Sequence, residues 1–158
     1  MRNLKLKTLP LLLLLLMSAG ATSIYSASLK PSAGPQRKRD KVIATRSATG
    51  TLKGFEVGDY QHAVINLANG EEKSFFIGEV GLPYFLALNK NATLTLTYQV
   101  VDSYIEEAGG VQRIERLSGA RAGKQTYAAW WRKMRAKHSL AQLEKMYEGM
   151  VEKLRLNP

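Results

Sequence analysis

The side chains best suited to acid–base or metal chemistry in this chain are two histidines and thirteen carboxylates. His62 lies in the segment GDYQHAVINLANGEEKSFFIG and His138 lies near the C-terminus; neither belongs to an HxH or HExxH pattern, so no metal site is predicted. Glu106 and Glu107 form an adjacent acidic pair beside two glycines. Neighbouring side chains on a strand point to opposite faces, so on a strand this pair could not flank one bond.

Other catalytic signals are missing from the sequence. It contains no cysteine, no GxSxG nucleophile motif, no Walker loop and no dinucleotide fingerprint. The patterns therefore favour a protein that is not an enzyme and uses no cofactor or metal. His62 is interpreted as an ordinary surface histidine, because a lone histidine without a partner seldom marks a site.

Residues 1–21 have the organisation of a signal peptide. Three basic residues come first, an apolar run follows over 9–17, and Ala19, Gly20 and Ala21 supply small residues for cleavage. The competing interpretation is a membrane anchor, but a spanning helix needs about 20 apolar residues and this run ends at Ser18. We therefore predict cleavage near Ala21 and a periplasmic or secreted bacterial protein, which the lack of cysteine also fits.

Charge divides the chain into segments. The formal net charge is +10, yet residues 42–118 contain six basic and nine acidic side chains, whereas residues 119–158 contain nine basic and three acidic ones. Residues 22–41 hold two prolines and the sequence QRKRDK without apolar periodicity, which predicts a flexible basic linker. Arg37, Lys38 and Arg39 could contact a polyanion, although a solvated tether is the favoured interpretation.

The first half of the central segment, residues 42–118, has the pattern of three strands. Residues 42–57 contain glycines that permit a long bent strand, and residues 60–67 alternate polar and apolar side chains. Asn69 and Gly70 predict a hairpin turn, and residues 73–77 form the returning strand.

The second half predicts a short helix and two further strands. Leu82, Phe85, Leu86 and Leu88 cluster around a proline suited to the first turn of a helix. Residues 93–101 alternate almost perfectly, and residues 111–117 form another strand after a Gly-Gly turn. The apolar residues of that last strand do not share a period of two, so we expect a bulge or an exposed apolar residue there.

This order of elements resembles that of small exported bacterial OB-fold or SH3-like β-barrel proteins of unassigned function. The resemblance rests on TGTLKGFEVGDY, SFFIG, LPYFLAL and TLTYQVVDSYIEEAGGVQRIERL, within residues 42–118. It implies an α+β fold: a five-stranded OB-like small β-barrel with a helix between strands 3 and 4, followed by a C-terminal helical segment. An SH3-like barrel is the alternative. On an OB-type barrel, the ligand face is predicted near Tyr60, His62, Phe76 and Tyr98.

Residues 119–158 predict a basic amphipathic helical segment. Apolar side chains recur at helical spacing around Trp130 and again from Leu140 to Leu154, but the two stripes are out of phase. Ser139 followed by Gln142 is a capping-box pattern, so we expect two helices or one kinked helix, with a single unbroken helix as the alternative. The stripes are expected to dock on the barrel rather than mediate self-association or partner binding.

Two binding functions are consistent with these features. The first is a periplasmic binding or adaptor module for an unknown protein, peptide or glycan. The second is a polyanion or membrane-surface binder acting through Arg37, Lys38 and Arg39 and through Arg132, Lys133 and Arg135. Nucleic-acid binding ranks last, because single-strand binding needs a positive groove and the central segment is acidic.

Overall fold

A computed structural model of the chain describes residues 40–156. The predicted signal peptide (residues 1–21) and the linker residues Arg37, Lys38 and Arg39 lie outside the described residues. The nine elements are β1 (Lys41–Val57), β2 (Gln61–Leu67), β3 (Glu72–Ile77), α1 (Leu82–Leu88), β4 (Leu94–Ile105), β5 (Gly110–Ala122), β6 (Gln125–Thr126), α2 (Tyr127–Arg135) and α3 (Leu140–Glu152).

The strands form one sheet that closes on itself. Its order is β3-β2-β1-β4-β5-β6, every neighbouring pair in that order is antiparallel, and a parallel pairing of β3 with β5 closes the sheet into a ring. The predicted α+β class is therefore confirmed. The sheet has six strands, one more than predicted for the barrel: five form the ring, and the two-residue strand β6 pairs only with the end of β5.

Strand β1 is the strand shared by the two sides of the ring. Its first half pairs with β4 and its second half pairs with β2, and Gly50 pairs with both Leu67 and Leu94 at the change of partner. A Cβ atom at Gly50 would collide with the carbonyl oxygen of Asn66. Glycine therefore lets three strands approach closely at this point, as the prediction of a long, glycine-bent strand requires.

The core fills the ring and continues beneath the helices. Ala63, Ile65 and Phe75 are fully buried inside the ring, as their alternation predicts, and Ile77 is half-buried. Phe85 of α1 is also fully buried and contacts Trp130 of α2, with ring centroids 5.6 Å apart. The helices and the ring thus share one continuous apolar core.

The seam between β3 and β5 is short. Only two residue pairs, Phe76 with Arg116 and Ile77 with Leu117, make the parallel pairing. Beside them the Nζ of Lys73 lies 2.7 Å from a carboxylate oxygen of Glu115. This ion pair joins the two strands where their backbones are no longer paired.

The C-terminal segment forms two helices, which confirms the break predicted from the out-of-phase stripes. Thr126 caps α2, and at the start of α3 the Ser139 amide donates to Gln142 while the Gln142 amide donates to Ser139 Oγ, at 2.8 Å and 3.3 Å. Trp130 is 8% exposed and Leu143 is fully buried, so both helices dock on the rest of the chain. Within residues 40–156, no helix has the length and apolar content needed to cross a bilayer.

The structure extends two of the predicted strands. β4 continues to Ile105 and β5 to Ala122, so the predicted boundary at Ser118 falls inside β5. Ser118 is the extra residue of a bulge, because Tyr98 pairs with Leu117 while Thr97 pairs with Gly119. The irregular spacing of residues 111–117 also leaves Val111 58% exposed, in agreement with the expected exposed apolar residue.

The end of the chain covers a free edge of β1. The Phe55 amide donates to the Leu154 carbonyl at 2.9 Å, and the Leu156 amide donates to the Phe55 carbonyl at 2.8 Å. This edge became free because β4 leaves β1 at Gly50. The chain can approach closely only because residue 54 is glycine: a Cβ there would lie 2.5 Å from the Leu154 oxygen and 2.7 Å from the Leu156 side chain.

We predict that Gly54→Ala lowers the free energy of unfolding by about 1–3 kcal/mol, because the added methyl group displaces residues 154–156 from β1. Chemical denaturation of the purified variant measures this change. Gly58→Ala is the matched control, since a Cβ at Gly58 meets no atom within 4 Å. Equal stability of the two variants would contradict the close approach of the C-terminal segment.

Candidate ligand-binding face

Three aromatic side chains form a platform on the outer face of β2 and β3. His62 pairs with Phe76 across these strands, and their ring centroids lie 4.8 Å apart in an edge-to-face arrangement. Tyr60 precedes β2, and its ring lies 4.8 Å from Phe76. All three side chains are partly exposed. We call Tyr60, His62 and Phe76 the aromatic platform.

Strand alternation explains why these residues face outward. Ala63 and Phe75 pair with each other inside the ring, so their neighbours His62 and Phe76 point to the other face. Tyr98, the fourth residue predicted for the ligand face, lies elsewhere: it is 7% exposed and packs against Phe75, with centroids 4.9 Å apart. The structure thus brings three of the four predicted residues together.

A hydrogen bond connects the platform to the turn between β4 and β5. The Tyr60 hydroxyl donates to a carboxylate oxygen of Glu107 at 2.5 Å. The turn brings Glu107 there by reversing tightly at Gly109, whose φ of +68° is unfavourable for other residues and whose amide donates to the Glu106 carbonyl. The loop before β2 and the turn after β4 therefore meet at the edge of the platform.

This hydrogen bond moves the pKa of both partners in the expected directions. Donation from Tyr60 lowers the pKa of the Glu107 carboxyl, and the same bond, together with nearby negative charge, raises the pKa of the Tyr60 phenol. Each shift means that the neutral phenol and the ionised carboxylate favour each other. The contact is fully present between the ordinary pKa of a glutamate and that of a tyrosine. It is lost as the pH falls through the lowered carboxyl pKa or rises through the raised phenol pKa.

Polar groups surround the platform. Glu56 pairs with His62 across β1 and β2, and its carboxylate accepts a hydrogen bond from Ser74 at 3.1 Å. Arg116 lies beside Phe76 on β5, but its guanidinium pairs with Asp40. Arg116 is therefore already paired with a carboxylate. The rim of the platform is dominated by the carboxylates of Glu56 and Glu107.

The Glu107 carboxyl at the edge of the platform favours its ionised form. A general acid at neutral pH needs a raised carboxyl pKa, whereas the pKa of Glu107 is lowered. Glu106 and Glu107 lie in the turn that follows β4, not on a strand as expected, and Glu107 is held by Tyr60. Among residues 40–156, no group of three or more histidine, aspartate or glutamate side chains is placed to hold a metal ion.

The predicted polyanion contacts of the C-terminal segment lie far along the chain from the platform, in α2. Arg132, Lys133 and Arg135 occupy the last turn of this helix and are exposed. None of the three forms an ion pair within residues 40–156. Trp130 of the same helix is buried in the core, and its neighbour Trp131 is partly buried against the core.

Sequence patterns did not reveal the contact between Tyr60 and Glu107. The two residues are 47 positions apart in the chain. Only the closure of the ring places the turn after β4 beside the loop before β2. No local signal in the sequence could have identified this pair.

Comparison with models of protein families, with curated proteins and with solved structures found no match to this chain.

We predict that Tyr60→Phe raises the pKa of Glu107 toward its ordinary value, because the variant lacks the hydroxyl that favours the ionised carboxylate. An NMR titration of the side-chain carboxyl carbon of Glu107 measures the change. Tyr104→Phe serves as the control, since Tyr104 is 54% exposed and makes no side-chain hydrogen bond within residues 40–156. An unchanged titration of Glu107 in Tyr60→Phe would contradict the contact.

Proposed function

We propose that this protein is an exported, non-catalytic binding or adaptor module whose ligand lies on the aromatic platform. The observation that carries the proposal is the cluster of Tyr60, His62 and Phe76, which leaves three ring surfaces partly exposed at one place on the sheet. Aromatic side chains combine a large contact area with few rotatable bonds, so they are effective anchors for a ligand. Export rests on the sequence pattern of residues 1–21.

We further propose that the ring is an OB-like fold. The strand order around the ring is β1-β2-β3-β5-β4, the pairing of β3 with β5 is parallel, and α1 lies between β3 and β4 in the chain. These features support the OB-like interpretation over an SH3-like one. OB-folds bind ligands on the face of strands 2 and 3 and on the adjoining loops 1–2 and 4–5. The platform and the Tyr60–Glu107 contact occupy the corresponding positions here.

The chemistry of the platform favours an extended ligand with an apolar or sugar face. Rings of this kind stack on the C–H face of a sugar or on an apolar side chain, while Glu56 and Glu107 accept hydrogen bonds from hydroxyl or amide groups at the rim. A glycan, a peptide or an extended segment of a protein meets these requirements. Such binding depends on contact rather than on net charge, so added salt should affect it little.

An array of glycans and peptides first identifies those that the protein binds. We predict that Phe76→Ala weakens binding of these ligands by about tenfold or more, because Phe76 contacts both other rings of the platform. Tyr104→Ala is the matched control, as it removes an exposed aromatic side chain outside the platform. Titration calorimetry at low and high salt gives the affinities. Equal binding by the two variants would contradict the platform as the ligand site.

A second candidate function is binding to an anionic membrane surface or another polyanion. It is favoured by the cations Arg132, Lys133 and Arg135 at the end of α2, which form no ion pair with another of residues 40–156. Cations at the C-terminal end of a helix also interact favourably with its dipole, so their clustering has a structural explanation too. This explanation and the acidic rim of the platform place the polyanion function second.

The two functions differ in their dependence on salt. If charge supplies the affinity, replacing Arg132, Lys133 and Arg135 with glutamine should weaken binding to anionic phospholipid vesicles, and removing residues 30–41 should weaken it further. Added salt should reduce binding by the unmodified protein steeply. Lys90→Gln is the control for loss of an exposed cation elsewhere. Vesicle binding that resists both salt and the triple substitution would contradict this function.

A further inference from the structure

A cavity of about 410 Å³ lies on the opposite side of the strands from the aromatic platform. Gln61 and Ile77 line it, and these are the chain neighbours of His62 and Phe76. Because successive side chains of a strand point to opposite faces, the cavity and the platform are separate surfaces. The loop between β3 and α1 and one face of α3 complete the cavity.

The wall of the cavity is largely apolar. Its apolar lining residues come from β1, β3, α1, α3 and the loop before α1: Val57, Ile77, Val80, Pro83, Tyr84 and Val151. Two of them, Val57 and Val80, are 42% and 53% exposed, so the apolar wall is open to solvent. The volume lies within the range of roughly 300 to 1,000 Å³ that is typical of ligand pockets.

Carboxylates surround this apolar wall. Glu79 contributes from the loop before α1, and Glu148 and Glu152 contribute from α3. Arg155 is the cation of the lining, and it pairs with Glu152 at 3.5 Å. Glu79 and Glu148 form no ion pair within residues 40–156, so the cavity carries uncompensated negative charge.

The distribution of charge along α3 adds to the negative charge at the cavity. Residues 119–158 contain only three acidic side chains among nine basic ones, and all three, Glu144, Glu148 and Glu152, recur every fourth residue on one face of α3. Burial raises the pKa of the Tyr84 phenol at the cavity wall, and Glu144 and Glu148 raise it further. The negative field of the helix therefore reaches the apolar wall, although the surrounding segment is basic.

We propose that this cavity binds a lysine or arginine side chain of a partner polypeptide. The aliphatic stem of such a side chain lies along Val80, Val151 and Tyr84, as long cationic side chains commonly do on apolar surfaces. The cationic head then reaches Glu79 and Glu148, which form no ion pair with any side chain of the described range 40–156. A hydrophobic ligand would leave both carboxylates without a partner, and an anion would be repelled by them. The cavity thus provides a second attachment point for an adaptor.

The probe is a short blocked peptide with one lysine between two leucines, compared with the same peptide carrying Nε-acetyllysine. Amide shifts of Val80, Tyr84 and Val151 in the full chain report its binding. We expect the acetylated peptide to bind at least about tenfold more weakly, since it lacks the charge that pairs with the two glutamates. Shifts should leave Tyr60, His62 and Phe76 unaffected.

Glu79→Gln combined with Glu148→Gln should weaken binding of the lysine peptide by a similar factor, whereas the control Glu71→Gln should not change it. Phe76→Ala should also leave it unchanged, so a failure of the platform and a failure of the cavity are distinguishable. Equal binding of the two peptides, or full binding by the double variant, would overturn the proposal. So would butylamine binding as tightly as the peptide, because the partner would then be a small amine rather than a polypeptide.

Discussion

The fold depends on one strand with two partners. β1 pairs with β4 until Gly50 and with β2 from Gly50 onward, so the sheet must turn at that residue and can close into a ring. In the closed ring β3 lies beside β5, and the turn after β4 contacts the loop before β2. The aromatic platform follows from this geometry, because its edge is defined where these two segments meet.

The change of partner also leaves a free edge on the second half of β1. The C-terminal segment forms backbone hydrogen bonds with this edge. Leu154 and Leu156 exchange backbone hydrogen bonds with Phe55. An uncovered edge would expose unpaired amide and carbonyl groups to other chains. Docking of α2 and α3 makes this pairing possible. The helices bury Trp130 and Leu143 and bring residues 154–156 back to β1.

Local patterns in the sequence predicted much of this arrangement. The alternation of residues 60–67 correctly assigned Ala63 and Ile65 to the core, and the capping box at Ser139 correctly placed the break between helices. The end of β4 was not predicted, because its last residues, including the 54% exposed Tyr104, lose the apolar alternation. The end of β5 was not predicted because its only core-facing side chains, Ala120 and Ala122, are small. The Tyr60–Glu107 contact, the seam at Lys73 and Glu115, and the acidic cavity all join distant segments, which no local pattern encodes.

The central claim is that the aromatic platform, rather than the basic segments, recognises the ligand. Its most direct test is a backbone NMR spectrum of residues 22–158, titrated with fractions of periplasmic extract at low and high salt. The account predicts shifts at Tyr60, His62 and Phe76 that persist at high salt. Shifts confined to residues 30–41 and 132–137 that disappear at high salt would contradict it.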